Sequence, residues 1–179
     1  EPKISKKVLN SFKSKLLRSK KPVLIFGRGA CYQENLKNIV KILKNFNIPA
    51  LTSLLSLGVV DSKVSFGMIG AAGSYASSRL IEDSDHIISV GCDIRKILPK
   101  SSLIKKEMTI VDIDSTQLDP LLKKNLNINC SSISFIEYLS KDIGNYKTEW
   151  NNKYLSQLRI KNNEAEVQEV SKDSKASIF

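Results

Sequence analysis

Pro22-Val23-Leu24-Ile25-Phe26, running straight into Gly27-Arg28-Gly29-Ala30, is the stretch that decides the fold. The run is apolar without alternation and stops at glycine. A strand that is buried on both faces reads this way, and such strands belong to parallel sheets covered by helices. Upstream, Val8, Leu9, Phe12, Leu16 and Leu17 recur at helical spacing opposite a Lys-rich face, and Pro22 ends that helix. Downstream, Leu36, Ile39, Val40, Leu43 and Phe46 form a second amphipathic stripe, followed by a short strand, Pro49-Ala50-Leu51-Thr52-Ser53. The stretch from Leu54 to Phe66 reads as an irregular crossover, and Gly67 to Gly73 as a second glycine turn. Ser74 then caps a helix through Glu82.

Three further strands follow: His86 to Gly91, Met108 to Asp114 and Leu126 to Cys130. Ser131 or Ser132 caps the next helix, with Ile133, Ile136, Tyr138 and Leu139 on it, and Trp150, Tyr154 and Leu158 mark a last helical segment. From Lys161 the pattern fades into polar sequence. The expected organisation is one domain over residues 1–160 and a polar interdomain linker or disordered tail over 161–179. Alternation of strand and helix throughout gives the class: α/β, a doubly wound, Rossmann-like parallel sheet of five or six strands with helices on both faces.

Composition narrows the function classes. The chain has 179 residues, 41% of them hydrophobic, which excludes a wholly disordered protein. No apolar run approaches the roughly 20 residues of a transmembrane helix, so no membrane partner is expected. The net charge is +10, but the excess is concentrated around the first helix and is not interleaved with aromatics. A solvated basic face is expected rather than a nucleic-acid site. Cys31, Cys92 and Cys130 are an odd number and far apart, which fits neither a disulfide framework nor a zinc site. They read as reduced thiols of a cytoplasmic protein. The chain opens on Glu rather than Met, so a longer parent is expected.

In such a sheet a ligand sits outside the carboxyl ends of the strands. The segments there are Gly27-Arg28-Gly29, Thr52-Ser53-Leu54, Gly67 to Gly73, Gly91-Cys92-Asp93 and Asp112-Ile113-Asp114. Glycines let a ligand approach the backbone, following amides can take a phosphate, and an acid at a strand end can hold ribose hydroxyls. Together they describe an adenine dinucleotide or nucleoside diphosphate cradle. The same glycines equally suit tight turns, and the third glycine of the usual dinucleotide fingerprint is missing.

For catalysis the chain offers little. The single histidine, His86, begins a buried strand, where a structural role is expected. Cys92 has no evident base. Asp112 and Asp114 alternate along a strand end, so at most they share a face, and they need not be an acid/base pair. No catalytic residue and no metal-ligand cluster is assigned.

The order of these segments resembles the central domain of thiamine-diphosphate-dependent enzymes, with acetolactate synthase the nearest flavour. The resemblance rests on Lys21 to Ala30, Ile48 to Ser53, Gly67-Met68-Ile69-Gly70 continuing to Gly73, Asp83 to Gly91, and Ile110-Val111-Asp112-Ile113-Asp114. It implies a DHS-like NAD/FAD-binding fold with no catalytic residue of its own. It also implies two further domains as partners, which bind thiamine diphosphate and magnesium between subunits, and a homo-oligomeric parent acting on carbon–carbon bonds of a 2-oxo acid. In the family the central cleft holds FAD, holds ADP or is empty. By position, the FAD-contacting segments fall on Gly27, Arg28, Gly29, Thr52, Ser53, Leu54, Met68, Ile69, Gly70, Gly91, Asp112 and Ile113.

There is one departure. FAD-binding members carry Arg two residues after the glycine of the third predicted strand, where this chain has Asp93. An acid there repels a pyrophosphate, and Arg95 is the nearest substitute. The rival reading is a self-standing adenine-nucleotide-binding module of similar fold, such as a relative of the NAD-consuming deacylases. A lone histidine at a strand start and the lack of a zinc-type cysteine set argue against it.

Overall fold

The computed structural model describes residues 4–61, 64–99, 101, 106–118 and 125–176. Helix α1 (Lys6–Arg18) leads into β1 (Pro22–Phe26), α2 (Gln33–Phe46) and β2 (Ala50–Thr52). Strand β3 (Ser65–Met68), α3 (Tyr75–Asp83), β4 (His86–Val90) and the short α4 (Ile94–Ile97) follow. The chain continues with β5 (Glu107–Asp112), β6 (Leu126–Asn129), α5 (Ser132–Asp142) and α6 (Asn152–Ala176). Six strands form one sheet in the order β3-β2-β1-β4-β5-β6, and every pairing is parallel. This is the doubly wound order, and its direction reverses between β1 and β4.

The residues explain the layers. β1 and β4 are buried along their whole length, so their side chains alternate between two cores. Leu24 and Phe26 join Phe12, Leu16, Ile39, Ile42 and Phe135 beneath α1, α2 and α5. Val23 and Ile25 join Ala76, Leu80, Ile94, Trp150, Leu155 and Leu158 beneath α3, α4 and α6. Serine hydroxyls begin three helices: Ser5 accepts from Val8 N at 3.3 Å, Ser74 from Ser77 N at 3.1 Å and Ser131 from Ser134 N at 3.2 Å. Each satisfies one amide that the first helical turn leaves open.

β3 lies inside the stretch expected to be irregular and takes Gly67-Met68 from the expected turn. It is a four-residue edge strand with a register shift against β2, and Gly67 has φ +92. Such a strand carries no apolar run to betray it. Leu36 and Val40, expected in the apolar stripe of α2, are exposed, and the buried face is Ile39, Ile42 and Phe46. α6 continues as helix from Asn152 through residues 161–176.

At the amino edge of the sheet the chain is tied together by side chains. The Asp85 carboxylate accepts from Ser19 Oγ at 2.5 Å, Lys20 N at 2.6 Å and Lys21 N at 3.1 Å. The segment before α6 crosses beneath the same edge. Tyr146 Oη donates to Ser19 O at 2.8 Å, Glu149 N to Lys20 O at 2.7 Å and Trp150 Nε1 to Pro22 O at 2.8 Å. His86 is fully buried there, with Nε2 2.9 Å from Thr109 Oγ1. Burial lowers its pKa to about 4, against the opposing charge of Glu107, so the ring is neutral at pH 7.

Candidate functional site

The parallel order brings every predicted site segment to one margin of the sheet. Gly27, Arg28 and Gly29 leave β1, while Thr52, Ser53 and Leu54 end and follow β2. Met68, Ile69 and Gly70 end and follow β3, Gly91 follows β4, and Asp112 and Ile113 end and follow β5. Within this margin the switch point between β1 and β4 is the place a ligand of this fold class would enter.

That crevice is filled by the chain itself. Gly27 N donates to Val90 O and Gly29 N to Gly91 O, both at 2.9 Å, so the ladder runs on past the strands. Ala30 N donates to Gly27 O at 2.9 Å and Cys31 N to Arg28 O at 3.1 Å. A Cβ on Gly27 would lie 2.2 Å from Gly91 O, and one on Gly29 2.8 Å from Gly91 Cα. Gly91 has φ +60, and a Cβ there would meet Gly29 C at 2.5 Å. Here the glycines let two chain segments touch.

The β2 exit is equally self-contained. Ser56 Oγ donates to Phe26 O at 2.5 Å, and Ser53 N donates to Ser56 Oγ at 2.9 Å. Sequence reading did not single out Ser56, although the Ser53-x-x-Ser56 spacing is a capping signal. Thr52, Ser53 and Ile69 are buried, whereas Leu54 and Ile113 are exposed at 65% and 54%.

Electrostatically, the margin beside β4 and β5 is acidic but internally matched. Asp93 accepts from Arg95 Nε at 3.2 Å and pairs with Lys96 Nζ at 2.9 Å. Burial pushes its carboxyl up, but the bonds and charges of Lys96 and Arg95 outweigh this and hold it below the usual range. Arg95 Nη2 also donates to Thr116 O at 3.0 Å. Asp112 accepts from Asp114 N at 3.0 Å and is shifted upward, first by burial and further by the charges of Asp114 and Asp93. The Cys92 thiol is buried and pushed up to about 12 by desolvation, which keeps it protonated. His86 lies at the opposite edge of the sheet, away from all of these groups.

A six-stranded parallel sheet with glycine exits and an acidic β5 end defines a doubly wound, Rossmann-like domain. The sequence profile described as "Thiamine pyrophosphate enzyme, central domain" matches residues 9–139, and the chain belongs to that family as its central domain. Among curated proteins it is similar to the acetolactate synthase large subunit of Lactococcus lactis, with 30% identity over 67% of this chain and 22% of that protein. It is similar to the 3D-(3,5/4)-trihydroxycyclohexane-1,2-dione hydrolase of Geobacillus thermodenitrificans, with 26% identity over 85% of this chain and 24% of the other. A probable acetolactate synthase large subunit of Methanococcus aeolicus is 24% identical over 72% of this chain and 22% of its own. The chain thus spans less than a quarter of the length of these relatives. Among the described residues no helix is long and apolar enough to cross a membrane.

Proposed function

We propose that this chain serves as the non-catalytic central scaffold of a thiamine-diphosphate-dependent enzyme that works on carbon–carbon bonds of a 2-oxo acid. Its partners are the other two domains of that enzyme, within a homo-oligomer. Thiamine diphosphate with magnesium, held by those domains, supplies the carbanion chemistry. What this chain's own residues do is hold a rigid margin. The similarity to acetolactate synthase large subunits supports the reaction class. The described rim residues support the scaffold role: burial shifts the Cys31 and Cys92 thiols upward, which keeps them protonated, and His86 sits at the far edge.

FAD or ADP would need a pyrophosphate site at the β1–β4 crevice, and the residues there do not fit one. The observation that carries this reading is the use of the Gly27 and Gly29 amides by Val90 and Gly91. A phosphate seated there would have to break these bonds. Arg95, the nearest substitute for the missing arginine, is already bound to Asp93 and the Thr116 carbonyl. The ionised Asp93 carboxylate opposes a second anion.

Two measurements test the proposal. Calorimetric titration of this chain with FAD, ADP and NAD is expected to give flat heats, and saturable heat with any of them restores a docking role. Full-length protein carrying this domain is expected to turn over a 2-oxo acid in the presence of thiamine diphosphate and magnesium. Turnover by the 179-residue chain alone would overturn the scaffold reading.

A further inference from the structure

A second hollow lies at the outer edge of the sheet, between β3, the loop after β2 and α6. It has a volume of about 630 Å³. Leu57, Val60, Phe66 and Ala76 give it apolar walls, and Thr52 and Arg159 bring polar groups to it. A smaller hollow of about 280 Å³ adjoins it, also lined by Phe66 and Arg159.

Arg159 is the unusual element. Its guanidinium lies over the Phe66 ring, 4.2 Å from the centroid, and Nη2 donates to Val64 O at 3.2 Å. Nε is buried and has no hydrogen-bond partner among the described residues. No carboxylate among the described residues forms an ion pair with it, and desolvation alone lowers its pKa. Asp61 lines the same hollow. Thr52 is 2% exposed, and its Oγ1 is likewise buried without a partner. Proteins seldom leave a half-buried guanidinium without an anion or a buried hydroxyl without a bond. Two such groups lining one open hollow are what an absent oxyanion would satisfy.

We propose that this hollow binds a small organic anion, a carboxylate or phosphate on an apolar body, with Arg159 taking the oxyanion and Phe66, Leu57 and Val60 the body. The planar fork of arginine suits either head group. The site lies outside the β1–β4 crevice, and the inference does not depend on the scaffold reading.

The test is an NMR titration of the 179-residue chain with phenyl phosphate and, in a separate arm, phenylacetate, at constant ionic strength. The expected result is saturable movement of the Arg159 Nε–H resonance and of the Thr52 and Gly67 amides with at least one probe. The arm that saturates at lower concentration names the head group. Arg159→Gln is expected to weaken binding by about tenfold or more, the loss of a charge-assisted bond. Thr52→Val, which keeps the shape, is expected to weaken it by about fivefold. No saturable shift with either probe in the unaltered chain overturns the proposal, whatever the variants do. So does equal affinity in a folded Arg159→Gln protein. Shifts of the same resonances with protein concentration alone would assign the hollow to a second copy and also overturn it.

Discussion

The crevice at the β1–β4 switch point and the hollow beside α6 both open near the carboxyl ends of the strands, yet they treat their polar groups in opposite ways. In the crevice the backbone and the acid are matched from within: Gly27 with Val90, Gly29 with Gly91, Asp93 with Arg95 and Lys96. In the hollow Arg159 and Thr52 are held by the fold but not completed by it. Position in a fold class says where a ligand could enter. Unspent hydrogen-bonding capacity says where one is still needed.

The same substitution made in each region gives the sharpest contrast. Gly91→Ala in the crevice combines a left-handed φ with a Cβ driven into Gly29, and is expected to cost about 2–5 kcal/mol. A midpoint of urea unfolding within error of the parent would show that the two segments do not touch. Gly58→Ala in the hollow also has positive φ, but nothing lies within 4 Å of the added carbon. Only the conformational cost of about 1–2 kcal/mol is expected.

Between these in size is the effect of acid on the opposite edge. His86 has a native pKa of about 4 against an ordinary 6.5. As pH falls from 6.5 the unfolded chain takes up a proton that the native one refuses. The contribution is therefore complete above 6.5 and lost on the way to pH 4, about 3 kcal/mol in all. A stability curve that is flat across this window would refute the buried neutral ring.

Two smaller effects bear on the paired and unpaired charges. Asp93→Asn strips Arg95 and Lys96 of their acid and is expected to lower stability by about 1 kcal/mol, read from the same denaturation. Arg159→Met removes a cation that no carboxylate among the described residues compensates, so its net change is expected to be smaller still, within about 0.5 kcal/mol. A loss larger than that of Asp93→Asn would make Arg159 a structural group and erase the contrast.

The sequence disclosed some of this and hid the rest, for physical reasons. β1 and β4 were legible because strands buried on both faces are continuous apolar runs. The serine caps at Ser74 and Ser131 were legible because capping is local chemistry. β3 was not, since its pairing is set by the neighbouring strand and not by its own Ser65-Phe66-Gly67-Met68. The rim residues could be named because parallel crossovers send every strand end to one margin. That Gly27 and Gly29 face Gly91 could not, because contact between residues 62 or more apart has no local signature. Arg159 follows Leu158 at the end of the expected last helical segment, where nothing local marks it, and only the fold brings it over Phe66.

The segment from Tyr146 to Trp150 has one more implication. It passes under the floor of the sheet and delivers Trp150, Leu155 and Leu158 to the α3 side, where they complete a core begun by Val23 and Ile25. The profile match ends at residue 139, before any of this. A version trimmed to that stretch would keep α3 and α4 but lose the rest of this layer's cover, with Pro22 and Lys20 carbonyls stripped of their donors. The hem that closes this domain lies beyond the stretch the family profile matches.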